Sequence, residues 1–210
     1  MTVRVPRAGR VLFIGDSITD AGRDRADDAD LGHGYAMMAA AWFTARHPGH
    51  RAAFRNRGVG GDRVRDLRSR WAADCLSLAP DVVSVLIGIN DTWRRYDHDD
   101  PTGVEEFARD YRHLLTTARE RLDAALVLVE PFVIPLHDGQ RAWREDLDPK
   151  VEVVRGLAAE FDAALVAVDA AFAAADTDDR VWTTDGVHLT PFGHAVLAQH
   201  WLRAVAPATD

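Results

Sequence analysis

The serine in Gly15-Asp16-Ser17-Ile18 and the histidine that closes Asp185-Gly186-Val187-His188 are residue types from which nucleophilic acyl transfer is built. A serine hydroxyl attacks poorly until a general base takes its proton. An aspartate one turn-sized step before a histidine can accept from one imidazole nitrogen. That fixes the tautomer and leaves the other nitrogen to receive the serine proton. Both motifs also have a plain structural reading, as an ordinary turn serine and as a surface turn leading into a helix. The chain holds 9 histidines. His33, His47, His50, His98 and His137 lie in polar or turn-like stretches, while His113, His194 and His200 fall within helical patterns. His188 is set apart by its aspartate.

Two more stretches could stabilise developing negative charge. In Asn56-Arg57-Gly58-Val59-Gly60-Gly61-Asp62 the glycines let backbone approach a ligand and aim an amide N–H at it, as an oxyanion hole requires. The spacing does not match Gly-x-Gly-x-x-Gly and no Walker lysine follows, which argues against a phosphate loop. In Gly88-Ile89-Asn90-Asp91 the asparagine side chain can donate to the same oxyanion, or else serve as a cap or turn residue.

The elements that must position these residues are legible as apolar periodicity. Val11–Ile14, Ala53–Arg55, Val82–Ile87, Ala125–Val129 and Leu165–Val168 read as strands; Val82–Ile87 and Ala125–Val129 are near-continuous and valine-rich, as buried parallel strands are. Tyr35–Arg46, Val64–Leu76, Val104–Leu122, Lys150–Phe161 and Phe192–Val205 carry helical spacing. Thr102-Gly-Val-Glu105 has the form of a capping box, and Thr190-Pro191 puts proline at a first helical position. Strand–helix alternation predicts an α/β fold, a parallel sheet covered on both faces, with ligands bound beyond the carboxyl ends of the strands. The candidate residues mostly follow strands. No repeat or linker divides residues 1–210, so one domain is expected. The charged stretch Arg23–Asp30 reads as a solvated loop or, alternatively, as a rim facing substrate.

Composition narrows the partners. The 210 residues are 47% hydrophobic and 28% charged, ordinary for a globular protein. With 33 acidic against 25 basic residues the formal net charge is -8, which argues against nucleic acid or an anionic membrane surface and favours a neutral small molecule. The one cysteine, Cys75, excludes an internal disulfide or thiolate metal cluster and reads as an inert core thiol on the apolar side of a helix. No signal peptide or membrane span is visible, so the expected location is cytoplasmic.

Taken in order, Gly-Asp-Ser, Gly, Asn and Asp-x-x-His resemble the SGNH (GDSL) hydrolase superfamily, named for its serine, glycine, asparagine and histidine. The resemblance runs from the first strand to the last helix. It implies a flavodoxin-like three-layer α/β/α sandwich with a five-stranded parallel sheet, and a carboxylic ester hydrolase needing no metal or organic cofactor. It also implies that Ser17 is the nucleophile, His188 the base and Asp185 its orienting acid, with the oxyanion held by the Ser17 amide, the Gly61 amide and the Asn90 side chain. Gly61 is favoured over Gly60 because it lies five positions after Asn56, as in the family's second block. Leu12–Asp20, Val64–Leu67 and Gly88–Tyr96 look like the bacterial acetylxylan esterase group, which implies deacetylation of xylo-oligosaccharides and a possible homo-oligomer. Asp16, Trp93, Arg94 and Tyr35 are then the candidate substrate contacts, Trp93 stacking on a sugar ring, with Tyr96 nearby. Many relatives have proline after the histidine; here Leu189 follows, and a shifted start of the last helix is expected. A lysophospholipase or acyl-thioesterase of the same superfamily, or a silent carbohydrate-binding domain, are the alternatives.

Overall fold

The computed structural model describes residues 1–175 and 177–208. In chain order the first half comprises β1 (Val3–Val5), β2 (Arg10–Gly15), α1 (Ser17–Asp20), α2 (Tyr35–Arg46), β3 (Ala53–Gly58), α3 (Val64–Asp74) and β4 (Val82–Leu86). Next come α4 (Ile89–Asp97), α5 (Val104–Leu122), β5 (Ala125–Val129), α6 (Asp138–Arg141) and α7 (Arg144–Glu160). The chain then forms β6 (Ala164–Val166), α8 (Val168–Ala173), α9 (Pro191–Ala204) and β7 (Val205–Pro207).

Strands β2 to β6 form one parallel five-stranded sheet in the order β3-β2-β4-β5-β6, and β1 pairs with β7 in a separate two-stranded sheet. Alternation within β2 explains why the sheet is covered twice. Val11 and Phe13 face one buried cluster with Tyr35, Phe43, Leu197 and Trp201, whereas Leu12 and Ile14 face another with Leu67, Trp71, Tyr111 and Leu114. Helices α2 and α9 thus cover one face, α3 and α5 the other, giving three α/β/α layers. Helix α5 sends Phe107, Tyr111, Leu114, Leu115 and Ala118 inward, the spacing of a single helical stripe.

The strand order places the site. After β3 the chain crosses back over β2 to form β4, so the connections leave β2 and β4 in opposite directions. At such a switch point the carboxyl ends open into a crevice. Gly15 stands level with Gly58 on one side and Leu86 on the other, so the segments after β2, β3 and β4 emerge together.

Several boundaries differ from the sequence reading. The N-cap of α5 is Gly103 and no side chain caps it; Thr102 lies one position too early for a capping box and is buried. Helix α7 begins at Arg144 rather than Lys150 and carries Pro149 inside it. Burial of Leu147 and the bidentate pair of Arg144 with Asp169 (2.7 and 2.8 Å) hold its first turns despite the proline. The last sheet strand is only Ala164–Val166, and Val168 already starts α8. Helix α9 begins at Pro191, with Thr190 as N-cap accepting from the Gly193 amide at 3.3 Å, so Leu189 leaves its start in place.

Cys75 ends α3 and is fully buried, and burial pushes its thiol up to about 12. The thiolate is the reactive form. Native protein should therefore resist a water-soluble aromatic disulfide reagent and react once unfolded in guanidinium; equal native and unfolded labelling rates would contradict this placement.

Candidate active site

The turn after β2 is built by Asp16. Its carboxylate accepts the Ile18 amide at 3.0 Å and caps the four-residue α1, which Ala21 closes in a left-handed conformation (φ 43°). Ser17 is the first residue of that helix, and its backbone N–H donates to no group among the described residues. Asn56 braces the turn from β3: its amide donates to Thr19 O (2.6 Å) and Leu31 O (2.9 Å), and its carbonyl accepts from Gly58 N (2.8 Å).

Across the crevice, the loop before α9 carries a relay of hydrogen bonds. Ser17 Oγ lies 3.0 Å from His188 Nε2, and His188 Nδ1 lies 2.6 Å from Asp185 Oδ2. Asp185 Oδ1 also accepts the Val187 and His188 amides at 2.9 and 2.7 Å. Partial burial works to raise the Asp185 pKa, but these bonds from the His188 ring and the two amides hold it below the usual carboxylate range. A carboxylate so held keeps the proton on Nδ1, leaving the Nε2 lone pair directed at Ser17.

The loop is pinned from several sides. Thr183 Oγ1 donates to His188 O (2.9 Å) and accepts from Gly186 N (2.9 Å), while Ile134 N donates to Gly186 O at 2.8 Å. Gly186 has φ +96°, and a Cβ there would come within 2.4 Å of the Gln140 side-chain nitrogen. Buried Gln140 donates to Asp185 O and accepts from Leu136 N at 2.9 Å.

Three donors sit free at the crevice. The Gly61 amide has no acceptor among the described residues, and this glycine, at φ +86°, faces open space. Asn90 is buried at the start of α4; its amide donates one hydrogen to Asp62 O (3.1 Å), leaving the second unbonded. With the Ser17 amide these are the groups an oxyanion requires. A cavity of about 440 Å³ opens beside Ser17 and His188, walled by Ile18, Ala21, Leu189 and His194.

Of the residues read as substrate contacts, two are displaced. Asp16 and Tyr35 are fully buried: Asp16 caps α1, and the Tyr35 hydroxyl meets Thr19 Oγ1 at 3.1 Å beneath the turn. Both support the Ser17 turn from below and neither walls the crevice. Trp93 does stand beside the relay, its ring centroid 6.0 Å from that of His188. Arg94 lies 5.3 Å over the Trp93 ring and is tied to Asp97. Trp93 packs on buried Trp143 (5.6 Å), which stacks on Tyr96 (5.6 Å, 16° between planes). The Arg23–Asp30 stretch is largely solvated, but Arg23 turns inward and donates twice to Gly58 O (3.1 and 3.0 Å).

Sequence reasoning missed the long-range braces. Arg70, on α3, donates to Gly15 O (2.9 Å), Arg57 O (2.8 Å) and Asp62 Oδ2 (2.6 Å), tying together the segments after β2 and β3. Neither Arg70 nor Gln140 carries a local sign of that role, because each acts through contacts far along the chain. His194 had one: it lies six positions after His188, in the first turn of the helix that follows, α9. The burial of two carboxyls likewise has no local sign in the sequence. Burial pushes Asp16 up to about 7, opposed by the Ile18 amide and reinforced by Asp91 and Asp62. Burial likewise pushes Asp91 up to about 7, opposed by the Val64 amide it accepts at 3.0 Å and by Lys150.

The chain is similar to known proteins along most of its length. Residues 13–196 match the profile of the GDSL-like lipase/acylhydrolase family. The chain is 32% identical to an acetylxylan esterase of Geobacillus stearothermophilus over 97% of its own length and 96% of the relative's. The crystal structure of that esterase, Axe2, superposes with a TM-score of 0.88 at the same identity and coverage. A GDSL-like lipase structure from Parabacteroides merdae superposes at 0.92, with 34% identity over 97% of this chain and 98% of the other.

The Asp91 pKa has a consequence for stability. A carboxyl raised from 3.8 to about 7 stabilises the fold most below its unfolded pKa, and that contribution is lost as pH rises through about 7. Asp91→Asn, which cannot ionise, should gain on the wild type by up to about 1.4 kcal/mol per pH unit across this window and level off above it. Urea midpoints from pH 4.5 to 8.5 measure the difference; a constant offset would contradict the assignment.

Proposed function

We propose, from the premise that this chain belongs to the GDSL-like lipase/acylhydrolase family and is a carboxylic ester hydrolase, that Ser17 is its nucleophile and that it removes short acyl groups from sugars. Acetylated xylo-oligosaccharides are the first substrates to consider. The observation that carries the reading is the relay Ser17 Oγ–His188 Nε2 (3.0 Å) and His188 Nδ1–Asp185 Oδ2 (2.6 Å) at the mouth of a cavity.

The chemistry follows from those positions. His188 Nε2 takes the Ser17 proton as Oγ adds to the ester carbonyl, and Asp185 stabilises the imidazolium that results. The carbonyl oxygen becomes an oxyanion bonded by the Ser17 amide, the Gly61 amide and the free hydrogen of Asn90 Nδ2. Collapse of the tetrahedral intermediate expels the alcohol, which leaves with the proton from His188. Water, deprotonated by the same nitrogen, then adds to the acyl-serine, and a second collapse returns the proton to Oγ and releases the acid.

The sugar-acetate part rests on two supports. The Geobacillus relative is an acetylxylan esterase. Trp93 offers a half-buried indole next to His188, the kind of surface on which a pyranose ring packs. The net charge of -8 favours a neutral small substrate over nucleic acid or an anionic membrane, and among the described residues no helix is long and apolar enough to cross a membrane.

Activity on p-nitrophenyl esters should be highest for acetate and fall steeply with acyl length, and acetylated xylo-oligosaccharides should lose acetate. Asn90→Ala should lower kcat on the acetate by roughly a hundred- to a thousandfold, the usual cost of one oxyanion donor. Preference for long acyl chains or for acyl thioesters would replace the sugar-acetate reading, and full activity in Asn90→Ala would remove Asn90 from the oxyanion hole.

A further inference from the structure

His194 lies in the first turns of α9 and lines the same cavity as Ser17 and His188. Its ring is held from α2. Helix α2 has glycine, Gly34, as its N-cap and so no side chain of its own to receive the first free amide. The Tyr35 N–H donates instead to His194 Nδ1, at 3.2 Å. Gly34 also makes room for the ring, since a Cβ at that position would lie 2.8 Å from His194 Cε1 and 3.0 Å from Nδ1.

This contact fixes the tautomer. Nδ1 accepts a backbone hydrogen, so in the neutral ring the proton resides on Nε2. Burial, and secondarily the charge of nearby His188, push the His194 pKa down to about 4, so the ring remains neutral where esterases are assayed. Nε2 bonds to no group among the described residues, and the His194 side chain lines the cavity. The cavity therefore has in its wall a neutral donor of fixed direction, set among the apolar surfaces of Ile18, Ala21, Leu189 and Pro191.

The side of the reacting ester that meets this donor follows from the lining. Gly61 and Asn90, which would hold the carbonyl oxygen, do not border this cavity, whereas His188, which would protonate the departing oxygen, does. We propose that the cavity receives the alcohol half of the ester and that His194 Nε2–H donates to a hydroxyl or ring oxygen of that alcohol, making His194 a specificity residue for polyhydroxylated esters. The inference rests on the proposed roles of Ser17 and His188 and sharpens the sugar reading by naming the group that recognises the sugar.

The test compares one acetyl ester of a hydroxylated alcohol, an acetylated methyl xyloside, with phenyl acetate, whose alcohol offers no comparable hydroxyls. Replacing His194 by Phe should lower the ratio of kcat/KM for the xyloside acetate to that for phenyl acetate by at least about tenfold, mainly through KM, as expected when one polar contact to substrate is lost. His194→Gln can place an amide N–H close to the Nε2 position, and should restore part of the ratio. An unchanged ratio in both variants, or equal losses on both substrates, would overturn the inference while leaving the sugar reading intact. If the wild type itself shows no preference for the xyloside acetate, the sugar reading fails and the inference with it.

Discussion

One hydrogen bond, between Ser17 and His188, joins residues 171 positions apart, and most of the surrounding structure serves to hold its two ends at 3.0 Å. A hydroxyl and an imidazole displaced by an ångström lose much of their ability to share a proton in the transition state. The Ser17 end is fixed by the Asp16 cap, the Asn56 clamp and the Arg70 side chain that reaches Gly15 O. The His188 end is fixed by Asp185, Thr183 and the Gln140 contact that leaves no room for a side chain at Gly186. The two ends meet because the sheet brings the end of β2 against the loop that precedes α9.

The same frame concentrates buried polar groups under the crevice. Asp16 and Asp91 are each fully enclosed, and each has one oxygen with no hydrogen-bond partner among the described residues. Burial that raises a carboxyl to about 7 lowers the share of negative charge it carries near neutral pH, charge that would oppose an oxyanion nearby. The arrangement links stability to function: both carboxyls hold backbone amides that define the ends of helices, Ile18 in α1 and Val64 in α3. Their protonation state therefore bears on the geometry of the turn as well as on its field.

Much of this was legible in the sequence because the signals are local. Val82–Ile87 and Ala125–Val129 are near-continuous apolar runs, readable as buried strands, and Ser17, Asn90, Asp185 and His188 each follow a strand or precede the last helix. The losses have a common cause. Tyr35 and Asp16 are polar residues next to motif residues, and nothing short of the tertiary packing says that they point inward. Local propensity places the start of helix α7 after Pro149, whereas Leu147 and the Arg144–Asp169 pair extend it back to Arg144. Arg70, Gln140 and His194 contribute through contacts made only when separate helices meet, so a single sequence gives at most the residue type.

The central claim is that Ser17 Oγ is the atom that bonds to the acyl group, and covalent capture tests it most directly. Protein treated with an organophosphonate, digested and mapped by mass spectrometry should carry one label per chain, on the peptide containing Ser17, with loss of ester hydrolysis in step with labelling. Ser17→Ala should take up no label and have no such activity. A label on another residue that tracks inactivation, or ester hydrolysis that persists in Ser17→Ala, would contradict the account.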